Sequence, residues 1–324
     1  MARKTNRRQF IHAAGLGATG LIATAPPISA AAPQPQAPTA PKTMGAKLRE
    51  LLQKREVFQN IAVYDVMTGR MVEIMGFPSL YLGSTASGEY KGMPDWDLTS
   101  ISEQIEYFGN IAQNVGIPAI ADIDEGGSGL SLYRATKDFE RAGLGGIHIV
   151  DGVAKLGQMT GLMSRQSMVD RIRAAVDARS DLVVTVRCQG GAAASKETKE
   201  QAIERGAAYA QAGADAVWFT GLQFEDLPKA ANAVKVPLMA QIFVDTPVSK
   251  PKESRVTIAV YASFLQNIAQ GAVYDALAEL KNTGMLTKSA KGQRLGGTIP
   301  ADVRAKLLRT NEMTDRGKKY SAGG

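Results

Sequence analysis

The chain has 324 residues, a formal net charge of +7 and a single cysteine, Cys188. One cysteine excludes an intrachain disulfide framework, so stability has to come from a buried core. Residues 1–31 hold Arg3, Lys4, Arg7 and Arg8 and no acids, which leaves about +3 beyond them and excludes nucleic acid as the partner.

The first residues read as an address. Asn6-Arg7-Arg8-Gln9-Phe10-Ile11 puts paired arginines ahead of a weakly apolar stretch, Ile11 to Ala25, that is too short and too polar to span a membrane. Small residues follow at Ser29-Ala30-Ala31-Ala32, where a signal peptidase would cut, and then a Pro/Ala/Gln stretch from Pro33 to Pro41. The pattern resembles a twin-arginine translocation signal. It implies a signal peptide over 1–31, a linker over 32–44, the twin-arginine export machinery as a partner, and a periplasmic or secreted protein. That route carries folded proteins, so a metal or an oligomer loaded in the cytoplasm would leave intact.

About 280 residues remain, which is one large domain or two small ones. Eight strand-like apolar runs follow in order: Asn60–Tyr64, Leu80–Gly83, Pro118–Asp122, Gly146–Val150, Leu182–Arg187, Ala216–Phe219, Pro237–Ala240 and Arg255–Tyr261. Helical stretches separate them at Thr68–Met75, Ser100–Asn114, Ser131–Ala142, Gln166–Ala178, Lys196–Gln211 and Leu227–Val234, with Phe264–Leu280 after the last. Glycine closes two of these helices, at Gly143 and Gly213. Strict alternation in this number predicts a parallel (β/α)8 barrel over 45–287, with an open doubly wound sheet as the alternative. A basic tail over 288–324, with Lys288, Arg304, Lys306, Arg309, Lys318 and Lys319, reads as a solvated helix and tail.

In either fold ligands collect beyond the carboxyl ends of the strands. The residues closing those runs are therefore the candidates: Tyr64, Asp65, Gly83, Ser84, Asp122, Asp124, Asp151, Arg187 and Gln241. Asp95 reaches the same mouth on the glycine-punctuated excursion Gly83 to Trp96. Asp122-Ile-Asp124 runs into Glu125-Gly-Gly-Ser-Gly129, a loop without bulk. Clustered carboxylates repel unless a hard cation neutralises them, and Mg²⁺ is held by one or two carboxylates, waters and substrate oxygens. The competing reading is that aspartates simply end strands and start turns.

The succession Val63-Tyr-Asp65, Tyr81-Leu-Gly-Ser84, Gly92-Met-Pro-Asp95, Asp122-Ile-Asp124, Gly143 to Asp151, Val186-Arg187 and Ala207 to Ala216 resembles the isocitrate lyase/phosphoenolpyruvate mutase superfamily, from about Gly45 to Leu280. The resemblance implies a (β/α)8 barrel, commonly a tetramer with an exchanged last helix, that binds Mg²⁺ and a 2-oxo or 2-hydroxy acid and reacts through an enolate. Mn²⁺ can take the place of Mg²⁺. It makes Asp122 the direct metal ligand, with Asp124 and Asp95 holding metal-bound waters. Arg187 takes a substrate carboxylate, Gly83 and Ser84 offer backbone N–H groups to it, and Tyr64 with Asp65 supports the pocket floor. A homo-tetramer or dimer and a small carboxylate ligand follow as partners.

Departures from the family pattern shape the expected chemistry. The glutamate of its I-E-D segment is Val150 here, and its K-K-C-G-H loop has no counterpart in Val153 to Gly161. The R-T-D segment is Arg187-Cys188-Gln189, and Gly221 stands where a glutamate is common. Without that loop cysteine a departing carbanion has no positioned proton source. Decarboxylation of an oxaloacetate-like acid is therefore the leading expectation. The alternatives are a methylisocitrate or isocitrate type of lyase with Glu125, Lys155 or Tyr90 as substitute acid, and an exported barrel that only binds a carboxylate. Cys188 reads as a packing residue rather than a nucleophile. His148 reads as out of phase with Val150, packed between strand and helix or facing a polar layer. Met67, Met71 and Met75 read as core filler.

Overall fold

The computed structural model describes residues 42–155, 158–243, 245–247, 249–286 and 299–321. The expected signal peptide and residues 32–41 of the expected linker lie outside them, as do 287–298 at the start of the expected tail. The first elements are α1 (Met44–Gln53), β1 (Phe58–Ala62), α2 (Val66–Ile74), β2 (Ser79–Leu82), α3 (Ser84–Glu89), α4 (Ile101–Ala112), β3 (Ala119–Asp122) and α5 (Gly129–Arg141). Next come β4 (Gly146–Val150), β5 (Gly152–Lys155), β6 (Gln158–Leu162), α6 (Arg165–Ala178), β7 (Val183–Cys188), α7 (Lys199–Gln211) and β8 (Ala216–Phe219). The last are α8 (Leu227–Val234), β9 (Leu238–Gln241), α9 (Lys250–Glu253), β10 (Val256–Tyr261), α10 (Phe264–Thr283), α11 (Ala301–Leu307) and α12 (Thr310–Ser321).

Eight parallel strands close on themselves in the order β1-β10-β9-β8-β7-β4-β3-β2, so the closed barrel stands and the open sheet is excluded. The strands are mostly apolar because both faces are covered, one by helices and one by the barrel interior. Alternation splits them: on β4, Ile147 and Ile149 pack outward against the helices, and Gly146, His148 and Val150 face inward. Leu48 and Leu52 of α1 join the inner cluster with Phe58, Ile120, Val183, Ala216 and Met239, so α1 plugs the amino-terminal end. Gly45 permits this close approach, since a Cβ there would stand 2.3 Å from the Asp181 carbonyl oxygen.

β5 and β6 stay outside the barrel as an antiparallel hairpin, in the segment that departs from the family's K-K-C-G-H loop. The methionine expectation fails. Met75 is 74% exposed and Met67 and Met71 are half-buried, because α2 turns Thr68, Gly69 and Val72 to the core instead. α10 is 20 residues long, yet only Gln266 is buried, and Ile268, Val273, Tyr274, Leu277 and Leu280 are exposed. Of the tail, α11 docks through fully buried Leu307, whose carbonyl accepts from Arg70 at 2.8 Å. Among the described residues no helix is long and apolar enough to cross a membrane.

Candidate active site

A cavity of ≈ 280 Å³ opens at the carboxyl ends of the strands. It collects Asp122 from β3, Arg187 from β7, Trp218 from β8 and Gln241 from β9, with Gly83, Ser84, Asp95 and Asp124 from the connections. A larger groove of ≈ 970 Å³ lies at the amino-terminal end, between Arg55, Asn232, Lys235, Lys252 and Arg255. It faces away from the strand ends where chemistry is built in this fold.

Asp122 is buried, and both of its carboxylate oxygens accept hydrogen bonds. Its Oδ2 accepts from the Tyr81 hydroxyl at 2.7 Å and from Arg187 Nη2 at 3.2 Å, and its Oδ1 accepts the Asp124 backbone N–H at 3.2 Å. The Arg187 guanidinium lies 4.4 Å over the Trp218 ring, and its Nε has no partner. Burial, then the charge of Asp122, hold the Tyr81 hydroxyl well above its ordinary pKa, so it serves as a neutral donor.

Asp124 sits just past the strand in a left-handed conformation, φ 52°, which costs a non-glycine residue energy and is characteristic of functional positions. Burial first, then Asp122, Asp95 and Asp97, push its carboxyl up to about 8. That cluster is short of positive charge. Arg187 faces Asp122, while Asp95 is held by the Thr85 hydroxyl at 2.7 Å. Asp97, absent from the residues singled out in the sequence, is raised by burial and then by Asp95 and Asp122. Among the described residues no three of His, Cys, Asp and Glu are placed to ligate one ion together.

Tyr64 and Asp65 do not line the cavity. β1 begins and ends two residues earlier than the expected run, which frees Asp65 to cap α2: its Oδ1 accepts the Thr68 N–H at 2.7 Å in a capping box. The Tyr64 carbonyl accepts from the Tyr107 hydroxyl. The substitute acids also lie elsewhere. Lys155 is exposed at the hairpin, Tyr90 is 72% exposed and stacks on Tyr107, and Glu125 lends its backbone carbonyl to Arg171 at 2.7 Å.

His148 corrects the expected phase, because positions 148 and 150 share the inward face. It is fully buried, with Nδ1 2.8 Å from the Thr185 hydroxyl and its ring 5.3 Å from Trp218. Val150 faces the interior without an oxygen to offer. Gly221 has no room for the glutamate common at its position, since even a Cβ would meet the Ala192 nitrogen at 2.2 Å. Cys188 is fully buried, and burial holds its thiol well above the ordinary value, as a packing residue should be. Trp218, Gln104 and Gln266 were missed in the sequence because each reads as an ordinary strand or helix residue.

The fold and its acidic mouth define a (β/α)8 barrel with a candidate site at the carboxyl ends of its strands. A family model described as phosphoenolpyruvate phosphomutase matches residues 48–281. The chain is 35% identical over 228 residues to 2-methylisocitrate lyase of Aeropyrum pernix, covering 67% of this chain and 73% of that one. It is 30% identical over 284 residues to oxaloacetate decarboxylase of Rhodopseudomonas palustris, covering 84% and 95%. A solved structure of phosphonopyruvate hydrolase with oxalate and Mg²⁺ superposes with a TM-score of 0.74 at 26% identity, covering 86% and 99%. The chain belongs to the phosphoenolpyruvate mutase/isocitrate lyase superfamily, a superfamily of carbon–carbon lyases and mutases, and is an enzyme of it.

Proposed function

We propose that this protein is a Mg²⁺-dependent lyase that decarboxylates a small 2-oxo acid of the oxaloacetate type, with Mn²⁺ able to replace Mg²⁺. The donor set fits a hard cation: the groups gathered at the mouth are carboxylates, and Asp124 is raised to about 8 by burial first and then by Asp122, Asp95 and Asp97, a repulsion a divalent ion relieves. Asp122 would touch the ion, and Asp124 and Asp95 would hold its waters. When bound, such an ion supplies Lewis-acid stabilisation of charge developing on oxygen.

The chain's own residues account for the rest. Arg187 lines the cavity beside Asp122, and it holds the 1-carboxylate through charge-assisted hydrogen bonds. Gly83, Ser84 and Gln241 line the same space and orient the acid. Breaking the C3–C4 bond releases CO2 and leaves its electron pair as the enolate, which takes a proton from water to give the shorter 2-oxo acid.

One observation carries this choice of reaction. With the carboxyls of Asp95, Asp122 and Asp124 given over to the cation, which keeps them ionised, the remaining described groups lining the cavity that could give a proton to a leaving carbon are the hydroxyls of Tyr81, Ser84, Thr85 and Ser263. None is an acid near neutral pH, and Tyr81 already donates to Asp122. Loss of CO2 needs no acid at the leaving carbon, whereas retro-aldol cleavage does. This weighs against the methylisocitrate type of lyase, and superfamily membership weighs against a barrel that only binds. The exposed apolar face of α10 supports a homo-oligomer, a dimer or tetramer.

Steady-state turnover of oxaloacetate and of 2-methylisocitrate, each with and without Mg²⁺ and with products identified by NMR, tests the reading. Mg²⁺-dependent formation of pyruvate and CO2 is expected. Turnover of 2-methylisocitrate alone would move the assignment to the retro-aldol lyase.

A further inference from the structure

Next to the main cavity is a cleft of ≈ 10 Å³, bounded by Ser84, Asp95, Asp97, Gln104 and Asp124 among others. That is room for about one water, since a buried water needs roughly 10–15 Å³ of such space. Gln104 projects into this region from α4, is 3% exposed, and is a polar side chain among the otherwise apolar buried residues of that helix. Its Nε2 is 3.4 Å from Asp124 Oδ2 and its Oε1 has no partner. With the cation bound Asp124 is ionised, and turning the amide over would then set its oxygen against the carboxylate, so Nε2 stays toward Asp124 and Oε1 is left in need of a donor. A buried amide oxygen without one costs about 1–3 kcal/mol, and such an orphan commonly marks an absent water or ion.

Asp97 is the second observation. It stands two residues beyond Asp95 at the turn of the excursion, with φ 56°, a conformation non-glycine residues rarely hold. Its carboxylate adds a fourth negative charge to Asp95, Asp122 and Asp124, and no ion pair to Asp97 forms among the described residues. β4 offers no oxygen at the mouth beyond its backbone, because Val150 is the residue facing inward there.

We infer that Asp97 and Gln104 hold a water of the bound cation's hydration shell in this cleft, so that the cation site is completed from the 83–100 excursion and α4 rather than from β4. Gln104 Oε1 accepts one hydrogen of that water and the Asp97 carboxylate the other. The inference rests on the proposed cation site and deepens it.

Metal binding by the full chain, read by calorimetry with Mg²⁺ and by the EPR signal of free Mn²⁺, tests it without recourse to activity. Asp97→Asn and Gln104→Leu are each expected to weaken binding about 10–100-fold, the usual loss when a group that holds a metal's partners is removed. In the absence of metal, Asp97→Asn should be at least as heat-stable as the wild type, because it lowers the repulsion. Asp97 is exposed, so that variant keeps the test valid if Gln104→Leu folds poorly. Wild-type affinity in Asp97→Asn, with the wild type binding Mg²⁺, overturns this inference and leaves the cation site standing. No Mg²⁺ or Mn²⁺ binding by the wild type overturns both.

Discussion

Asp122 holds three groups before any ion arrives: the Tyr81 hydroxyl, the Arg187 guanidinium and the Asp124 N–H. Repulsion among the clustered carboxylates, taken alone, sets the expectation that Asp122→Ala relieves strain with little loss of folding. The structure reverses that expectation, because alanine would strand Arg187 beside an apolar ring with its charge unpaired. Removing one partner of a buried pair costs about 3–5 kcal/mol, so urea denaturation of Asp122→Ala should show a loss of that order, while Asp122→Asn keeps an acceptor for Tyr81 and loses less. Both should lose Mg²⁺ binding in calorimetry. Unchanged affinity in Asp122→Asn would remove this residue from the metal site.

His148 gives a pH signature. Burial, with Arg187 acting in the same direction and Asp122 opposing, lowers its imidazole from the usual 6.5 to about 3. The unfolded chain therefore takes a proton below 6.5 that the folded chain refuses, so this contribution is present above pH 6.5 and drains away as pH falls toward 3. His148→Asn should shrink the drop in urea midpoint between pH 7 and pH 4.5. An identical drop in both proteins would mean that other groups carry the acid sensitivity.

The hairpin of β5 and β6 is tied down at its stems. Asp151, fully buried, accepts the Gln189 N–H at 2.8 Å and the Tyr209 hydroxyl at 2.7 Å. Arg205 of α7 reaches the same Tyr209 hydroxyl at 3.0 Å and the Met163 carbonyl at 3.1 Å, and forks onto Glu197. Arg205→Met leaves Asp151 and Glu197 without their cation, and a destabilisation of about 3–5 kcal/mol in urea is expected. Less than about 1 kcal/mol would show that the network is better solvated than its burial indicates. The same elements mark where sequence reading stops. Eight buried parallel strands announce themselves as continuous apolar runs, and aspartates at the ends of those runs stand out. The hairpin did not, because its exposed pairs such as Lys155 and Gln158 bury no common face and leave no alternation to read. α3 was hidden by the glycine-punctuated Gly83 to Trp96, and Trp218 and Tyr81 by being indistinguishable from core residues until the barrel closes around Arg187.

At the scale of the whole molecule, α10 presents Val273, Tyr274 and Leu277 without cover among the described residues, which a second copy of the chain would supply. Export by the twin-arginine route is proposed on the paired Arg7 and Arg8 ahead of the weakly apolar stretch. Arg7→Lys with Arg8→Lys should leave folded precursor in the cytoplasm, because lysine cannot reproduce the planar guanidinium fork; normal periplasmic protein on fractionation would count against it. The central claim is that the acidic mouth and Arg187 together make a cation-dependent carboxylate site. Oxalate titrated calorimetrically into the wild type and Arg187→Ala, with and without Mg²⁺, tests it most directly. The account predicts binding to the wild type only when Mg²⁺ is present, and none to Arg187→Ala. Binding that ignores Mg²⁺, or that survives the loss of Arg187, would contradict it.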